Sequence, residues 1–201
     1  MPRTEAMNQA IREERKAEIM AVAAQVFAHN GYVGTRIGDI AEAASISKGL
    51  LYHYFTSKEE VFTALVERAA RGITHLLQAT IDLPGPAAKQ LHWLIEQEIA
   101  GLTDDPHIFM VVLQAMISDA VPVNARHLAE ELVAQTQGLM RQLVVAGQLE
   151  GQIIPGDAQQ IAALLGTWLQ GLAVGAAMRP LVPSLPRAES LVQLFIPAEH
   201  R

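Results

Sequence analysis

An all-α chain is what these 201 residues predict, and two observations carry that prediction. Apolar residues recur at helical spacing from about Ile11 to Phe195, and no run alternates with the period of two that a half-buried strand needs. Between the periodic segments stand caps and breakers: Asn30-Gly31, Thr35, Ser47, Ser57, Leu83-Pro84-Gly85-Pro86, Val121-Pro122 and Asp157.

The elements follow in order. Residues 1–10 are expected to be unstructured, with Arg3, Arg12, Arg15 and Lys16 as a conceivable basic arm, although interleaved glutamates favour a solvated helix face. A first helix over Ile11–Asn30 has one apolar stripe, Ile19, Val22, Ala23, Val26 and Phe27, and Gly31 ends it. Thr35 is the expected cap of a second helix, whose inner face is Ile37, Ile40, Ala41 and Ala44. Ser45-Ile46 makes a turn, and Ser47 caps a third helix that faces Leu51 and Phe55 inward. Ser57 and Glu60 spell a capping box ahead of a long fourth helix through Val61, Phe62, Leu65, Val66, Ala69, Ile73 and Leu77. Beyond Pro86, helices are expected over Ala87–Leu102, from Asp104-Asp105-Pro106 through Ile117, from Val121-Pro122 to about Leu149, and over Ile161–Met178. Pro180, Pro183 and Pro186 then enforce a connector to a short last helix holding Leu191, Val192, Leu194 and Phe195.

Composition narrows the classes. Hydrophobic residues make up 50% of the chain and aromatics only 5%, so a core of aliphatic side chains can be buried. Without cysteine there is no disulfide framework and no thiolate metal or redox site. The first residues, MPRTEAMNQAIREERK, lack the apolar stretch of a secretory signal, and the cytoplasm is the expected compartment. The span Ile161–Met178 is free of charge, yet its glycines, Thr167 and Gln170 suit a buried helix of a soluble bundle better than a membrane crossing. The formal net charge is −6, but residues 1–58 hold seven basic against six acidic side chains, so the acidity lies in the remainder.

The stretch Thr35–Lys58, TRIGDIAEAASISKGLLYHYFTSK, carries the chemistry. Two short capped helices with a shared apolar inside and an aromatic-basic outside outline a helix-turn-helix, whose second helix enters the DNA major groove. Singly, an exposed Lys is only solvated and a helical Tyr is half core; the combination is what points to DNA. Lys48 and Lys58 bracket the third helix with charge, Gly49 lets backbone approach nucleic acid, and Tyr52, Tyr54 and Thr35 can donate to phosphate. Lys48, Tyr52, His53 and Arg36 are the candidates for base contact.

These residues resemble the tetracycline-repressor (TetR) family of one-component regulators: Phe27, Gly31-Tyr32, Thr35, Ile40-Ala41, Ser47-Lys48-Gly49, Leu51-Tyr52, Tyr54-Phe55 and Ser57-Lys58-Glu59-Glu60. The resemblance spans about Ile19–Leu65, a quarter of the chain. It implies a three-helix DNA-binding domain, taken as residues 10–58, and a larger helical domain over 59–201 that dimerises and holds an effector. It also implies DNA contacts at Thr35, Lys48, Gly49, Tyr52, His53, Tyr54 and Lys58, to which Arg36 and Ser47 are added by position. Two departures stand out: Ser45 where such proteins often have Gly, and a bulky Leu50 where a small or polar residue is common.

The expected function is a ligand-responsive regulator that binds double-stranded DNA at a pseudo-palindromic operator as a homodimer, a repressor released by a small apolar or amphipathic effector. Two recognition helices would then stand about 34–36 Å, or a multiple of that, apart. Leu164, Leu165, Trp168, Leu172, Leu191 and Phe195 are the candidate dimer residues, with Gly166, Gly171 and Gly175 permitting close approach. Trp93, Phe109, Met110, Met116, Met140 and Trp168 are the candidate effector lining, with His75, His92, Glu96, Gln114 and Gln137 as polar contacts; the plain alternative is that they are core. No nucleophile-base pair, phosphate loop or metal spacing is visible, so neither an enzyme nor a cofactor is expected, and a membrane-associated or architectural DNA protein is the remaining alternative.

Overall fold

The structure, a computed structural model, describes residues 5–178 and 184–197. Pro180, Pro183 and Arg3 lie outside the described residues. Nine helices and no strand occur among the described residues: α1 (Glu5–Gly34), α2 (Ile37–Ala43), α3 (Lys48–Tyr54), α4 (Lys58–Asp82), α5 (Ala87–Asp104), α6 (Ile108–Ile117), α7 (Val123–Leu149), α8 (Ala158–Ala177) and α9 (Ala188–Val192). The all-α architecture is the one the periodicity predicts.

The first helix begins at Glu5 and not at Ile11. From Met7 on its added turns are exposed, and helix-forming residues with spaced pairs support them: Gln9 donates to Glu13 across 2.6 Å, and Arg15 pairs with Glu18. At Gly31 the backbone turns to φ 70° and ψ 166°, so α1 is two helical segments joined at a break that glycine makes affordable.

Two long helices tie the molecule together. The N-terminal half of α4 (Val61, Phe62, Leu65, Val66) packs beneath α1–α3 with Val111 and Ala115 of α6 and Ala125 and Ala129 of α7. The C-terminal half of α7 joins a second cluster built on α5, α8 and α9, including Leu94, Ile95, Leu143, Val144, Leu165, Leu169, Leu191 and Phe195. Ala69, Val112 and Leu132 sit between the two. A disturbance at α6 or α7 therefore has a packed route to the helix-turn-helix.

Although α8 is long and apolar enough to cross a membrane, its stripe Ile161, Ala162, Leu165, Leu169, Leu172, Ala173 and Ala176 is buried against the protein's own helices. Asp157 caps it as expected, accepting from the amides of Gln159 (2.8 Å) and Gln160 (3.2 Å). The free amides of α5 are met from the loop after α7: Ala87 donates to Glu150 and Ala88 to Gln152, each at 3.1 Å. That loop comes so near that a Cβ on Gly147 would stand 2.5 Å from Ile153 and 2.9 Å from Ala87. Replacing Gly147 by Ala should consequently lower stability by about 1–3 kcal/mol, read as a shift of the urea midpoint at unchanged slope.

Candidate nucleic-acid interface

The turn between α2 and α3 is built by hydrogen bonds that the sequence dictates. Ser45 takes φ 54°, the left-handed conformation. The Ile46 amide then reaches Ala41 O and the Ser45 amide Glu42 O, both at 2.9 Å, which is the Schellman ending of a helix. Glycine is the usual residue at such a position, so Ser45 accepts strain of about 1–2 kcal/mol. Ile46 packs onto the N-terminal cluster, and the Ser47 hydroxyl accepts the Leu50 amide at 3.1 Å to start α3.

Two capping expectations need correction. The cap of α2 is Arg36: its carbonyl accepts the Asp39 amide at 3.0 Å, and its amide donates to the Asp39 carboxylate at 2.8 Å. Thr35 lies one residue too early; it is buried, and its hydroxyl donates to Gly31 O at 2.7 Å. At α4 the Ser57 hydroxyl does accept the Glu60 amide, at 3.2 Å. The Glu60 carboxylate reaches back one residue further than expected, to the amide and hydroxyl of Thr56 at 2.5 and 2.6 Å, and these bonds hold it below the usual carboxylate range.

With Leu51 and Phe55 fully buried, the opposite side of α3 is open. Lys48, Gly49, Leu50, Tyr52 and His53 are exposed there; Tyr54 is partly buried with its ring edge-on to His53 at 5.5 Å. Arg36 and Ser47 are exposed too. The Lys48 side chain crosses Gly38 of α2 so closely that a Cβ there would stand 2.6 Å from its Cε. The second helix thus aims this lysine, a role for Gly38 that the sequence spacing did not reveal.

Two expected contacts are differently placed. Thr35 is not on this open face, because its side chain is internal and its hydroxyl is already committed. Lys58 donates to Tyr32 O at 2.9 Å and lies 4.2 Å from the Tyr32 ring centroid, so its charge is anchored on the hinge between α1 and α2. Tyr32 in turn donates to Glu59 at 3.0 Å; burial, then that carboxylate, pushes its hydroxyl up to about 12.

The dimer and effector candidates separate by burial. Leu165, Leu172, Leu191 and Phe195 are buried in the protomer's own C-terminal cluster, and Leu172 also lines the groove along α8. Leu164 is 64% exposed and, with Trp168, borders an open groove of about 730 Å³ that Gln160, Thr167, Gly171 and Gly175 also line. Met140 is core, Phe109 and Trp168 pack on the rim of that core, and Trp93 and Met110 are partly buried. Met116 stands exposed near the end of α6 rather than in the interior. His92 lies 3.4 Å from Glu96 and 3.7 Å from Glu189 as a surface bridge from α5 to α9, and Gln114 is engaged with α1.

Glu98 is a residue that sequence reasoning passed over. It lies on the same face of α5 as the buried Leu91, Leu94, Ile95 and Leu102, itself partly exposed, and the loss of water around its carboxyl pushes it up to about 6. Its i, i+3, i+4 spacing to those leucines and isoleucine was the available signal.

An open, capped third helix on a three-helix unit, joined to a larger helical body, is the arrangement of a helix-turn-helix domain. Residues 19–65, about a quarter of the chain, match the model of the family described as bacterial regulatory proteins, tetR family. The transcriptional activator FasR of Mycolicibacterium smegmatis is 33% identical over 79 residues, 37% of this chain and 36% of its own length. The chain thus spans about a third of that relative. The regulator CymR of Pseudomonas putida is 24% identical over 80% of this chain and 78% of its own. The transcriptional repressor KstR2 of Mycobacterium tuberculosis is 44% identical over 52 residues, 26% of each chain. Among solved structures, a TetR-family regulator from Agrobacterium tumefaciens superposes with a TM-score of 0.74 at 15% identity, over 92% of this chain and all of that one. AibR, solved with isovaleryl coenzyme A and operator DNA, gives 0.73 at 17% identity over 91% of this chain and 98% of its own. At such identities the likeness establishes fold.

Because Glu98 is neutral in the fold up to about pH 6 but ordinarily ionises near 4.5, native protein holds the extra proton between those values. Stability should therefore fall as pH rises through that window, by about 2 kcal/mol in all, and level off above it. Urea titrations of wild type and Glu98→Gln at pH 4.5 and 7.5 isolate the effect; the difference between the proteins should change by that amount.

Proposed function

We propose that this chain is a homodimeric, effector-responsive transcriptional repressor of the cytoplasm, with residues 10–58 reading DNA and 59–201 serving dimerisation and effector binding. The observation that carries the reading is the open face of α3, where Lys48, Gly49, Leu50, Tyr52 and His53 stand over a closed core of Leu51 and Phe55. In this reading the α3 amides and Lys48 meet phosphate, while Tyr52 and His53 meet base edges, with Leu50 beside them for a thymine methyl. Arg36, Ser47, Tyr54 and Lys58 complete the contact set, Lys58 chiefly by holding the hinge.

The near-neutral charge of the reading end makes a few aimed contacts matter more than bulk attraction. Two copies are required because one short helix reads few base pairs. The groove along α8 supports the second copy: Leu164, Trp168 and the small residues Gly171 and Gly175 leave apolar surface that another α8 fits. Repression is supported by the naming of KstR2 as a repressor, and an acyl thioester or other amphipathic effector by the isovaleryl coenzyme A of AibR.

The test begins with selection of bound sequences from random duplex DNA, followed by anisotropy titrations over a range of salt. A pseudo-palindromic site is expected. Lys48→Ala should weaken every duplex and lower the salt slope by about one unit. Tyr52→Ala should cost about 1–3 kcal/mol on the selected site and little on random DNA. Isovaleryl coenzyme A should release the selected duplex. Wild-type affinity and slope in Lys48→Ala would remove α3 from the interface, and tighter binding with the thioester would make it a co-repressor instead of a releasing effector.

A further inference from the structure

We propose that Gln114 is a positioning residue: from α6 it completes the hydrogen bonding at the break in α1 and so fixes the angle at which the helix-turn-helix is held. At Gly31 the helical ladder stops, and the Tyr32 amide loses the acceptor that a continuous helix would provide. The Gln114 carboxamide sits across that gap. Its Oε1 accepts the Tyr32 amide at 2.9 Å and its Nε2 donates to Phe27 O at 2.9 Å. A primary amide is the side chain with one acceptor and one donor suited to replace a missing peptide partner on both sides of a break. These are contacts across 82 and 87 residues of sequence.

Tyr32 then spreads the constraint. Its ring lies against Phe27 and Phe62, its carbonyl receives the Lys58 ammonium, and its hydroxyl binds Glu59. Three residues on, Thr35 bonds back to Gly31 and α2 begins. At the other end of α6, the His107 ring lies 5.4 Å from that of His29 on α1, so α6 is held against α1 along its length. Two further faces are packed: Val111 and Ala115 into the N-terminal cluster, Val112 against Ala69 of α4 and Leu132 of α7. Gln114 is thus the polar link by which a shift of α6 turns the recognition helix.

The inference rests on the reading of two copies on two half-sites. It is tested with the full-length chain on the selected site and on versions with one base pair added or removed between half-sites. Each change displaces a half-site by about 3.4 Å and rotates it around the duplex. Wild type should prefer the native spacing by at least about tenfold. Gln114→Met, which keeps the length and bulk but neither hydrogen bond, should bring the three spacings within about threefold at an unchanged salt slope. Tyr32 amide exchange should become faster in the same variant. Gln114→Glu keeps the acceptor for Tyr32 and opposes Phe27 O, and should fall between; it carries the comparison should Gln114→Met lose its cooperative melt. Native spacing preference in either folded variant overturns the role of Gln114. Equal binding to all spacings by wild type overturns the two-half-site reading instead.

Discussion

Three aromatic rings, Phe27, Tyr32 and Phe62, meet where α1, its broken end and α4 converge, with centroids 4.9–6.1 Å apart. They can meet only because Gly31 takes a positive φ and swings Tyr32 back over the helix it has just left. Everything toward the DNA-reading face is placed from that point. Thr35 closes the break, Arg36 and Asp39 start α2, and the left-handed Ser45 turns the chain into α3. Lys58 and Glu59 at the start of α4 grip the same tyrosine. Loss of the aromatic contact would therefore free the recognition helix from α4 while leaving each short helix internally capped.

The same constraint explains why the N-terminal unit does not close upon itself. Three helices of this length bury little apolar surface alone. Phe27, Ile40, Leu51 and Phe55 are fully buried because α4, α6 and α7 lend Val61, Phe62, Val111 and Ala125 to the cluster. Stability is borrowed from the elements that an effector-binding body would move. A regulator needs that coupling: a DNA-reading unit with a self-sufficient core would be indifferent to what happens beyond Pro86.

Helix positions and the inward residues of α2 and α3 were legible because they follow from periodicity and turn chemistry, which act over a few residues. Ile40, Ala41, Leu51 and Phe55 face the core as their spacing requires. The errors are one-residue errors with local causes, as at Thr35, where a hydroxyl can cap the next helix or return to the last, and the sequence alone does not say which. The burial of Leu165, Leu172, Leu191 and Phe195 was illegible for a different reason. On α8, apolar residues occur nearly all round, so the stripe facing the protomer and the stripe left open cannot be separated until α5 and α9 are in place.

Gln114 marks the limit of local reasoning most clearly. In the sequence it is a polar residue inside the apolar run of α6, which suggests a ligand contact as readily as anything else. In the fold its amide is occupied by a peptide group's neighbours 82 and 87 residues away, and its meaning comes from the defect it repairs. A helix break made by one glycine is structurally cheap only if the orphaned amide finds a partner, and here that partner belongs to the part of the chain that would answer to an effector. The position of the recognition helix and the state of α6 are, by this single side chain, made parts of one hydrogen-bonded arrangement.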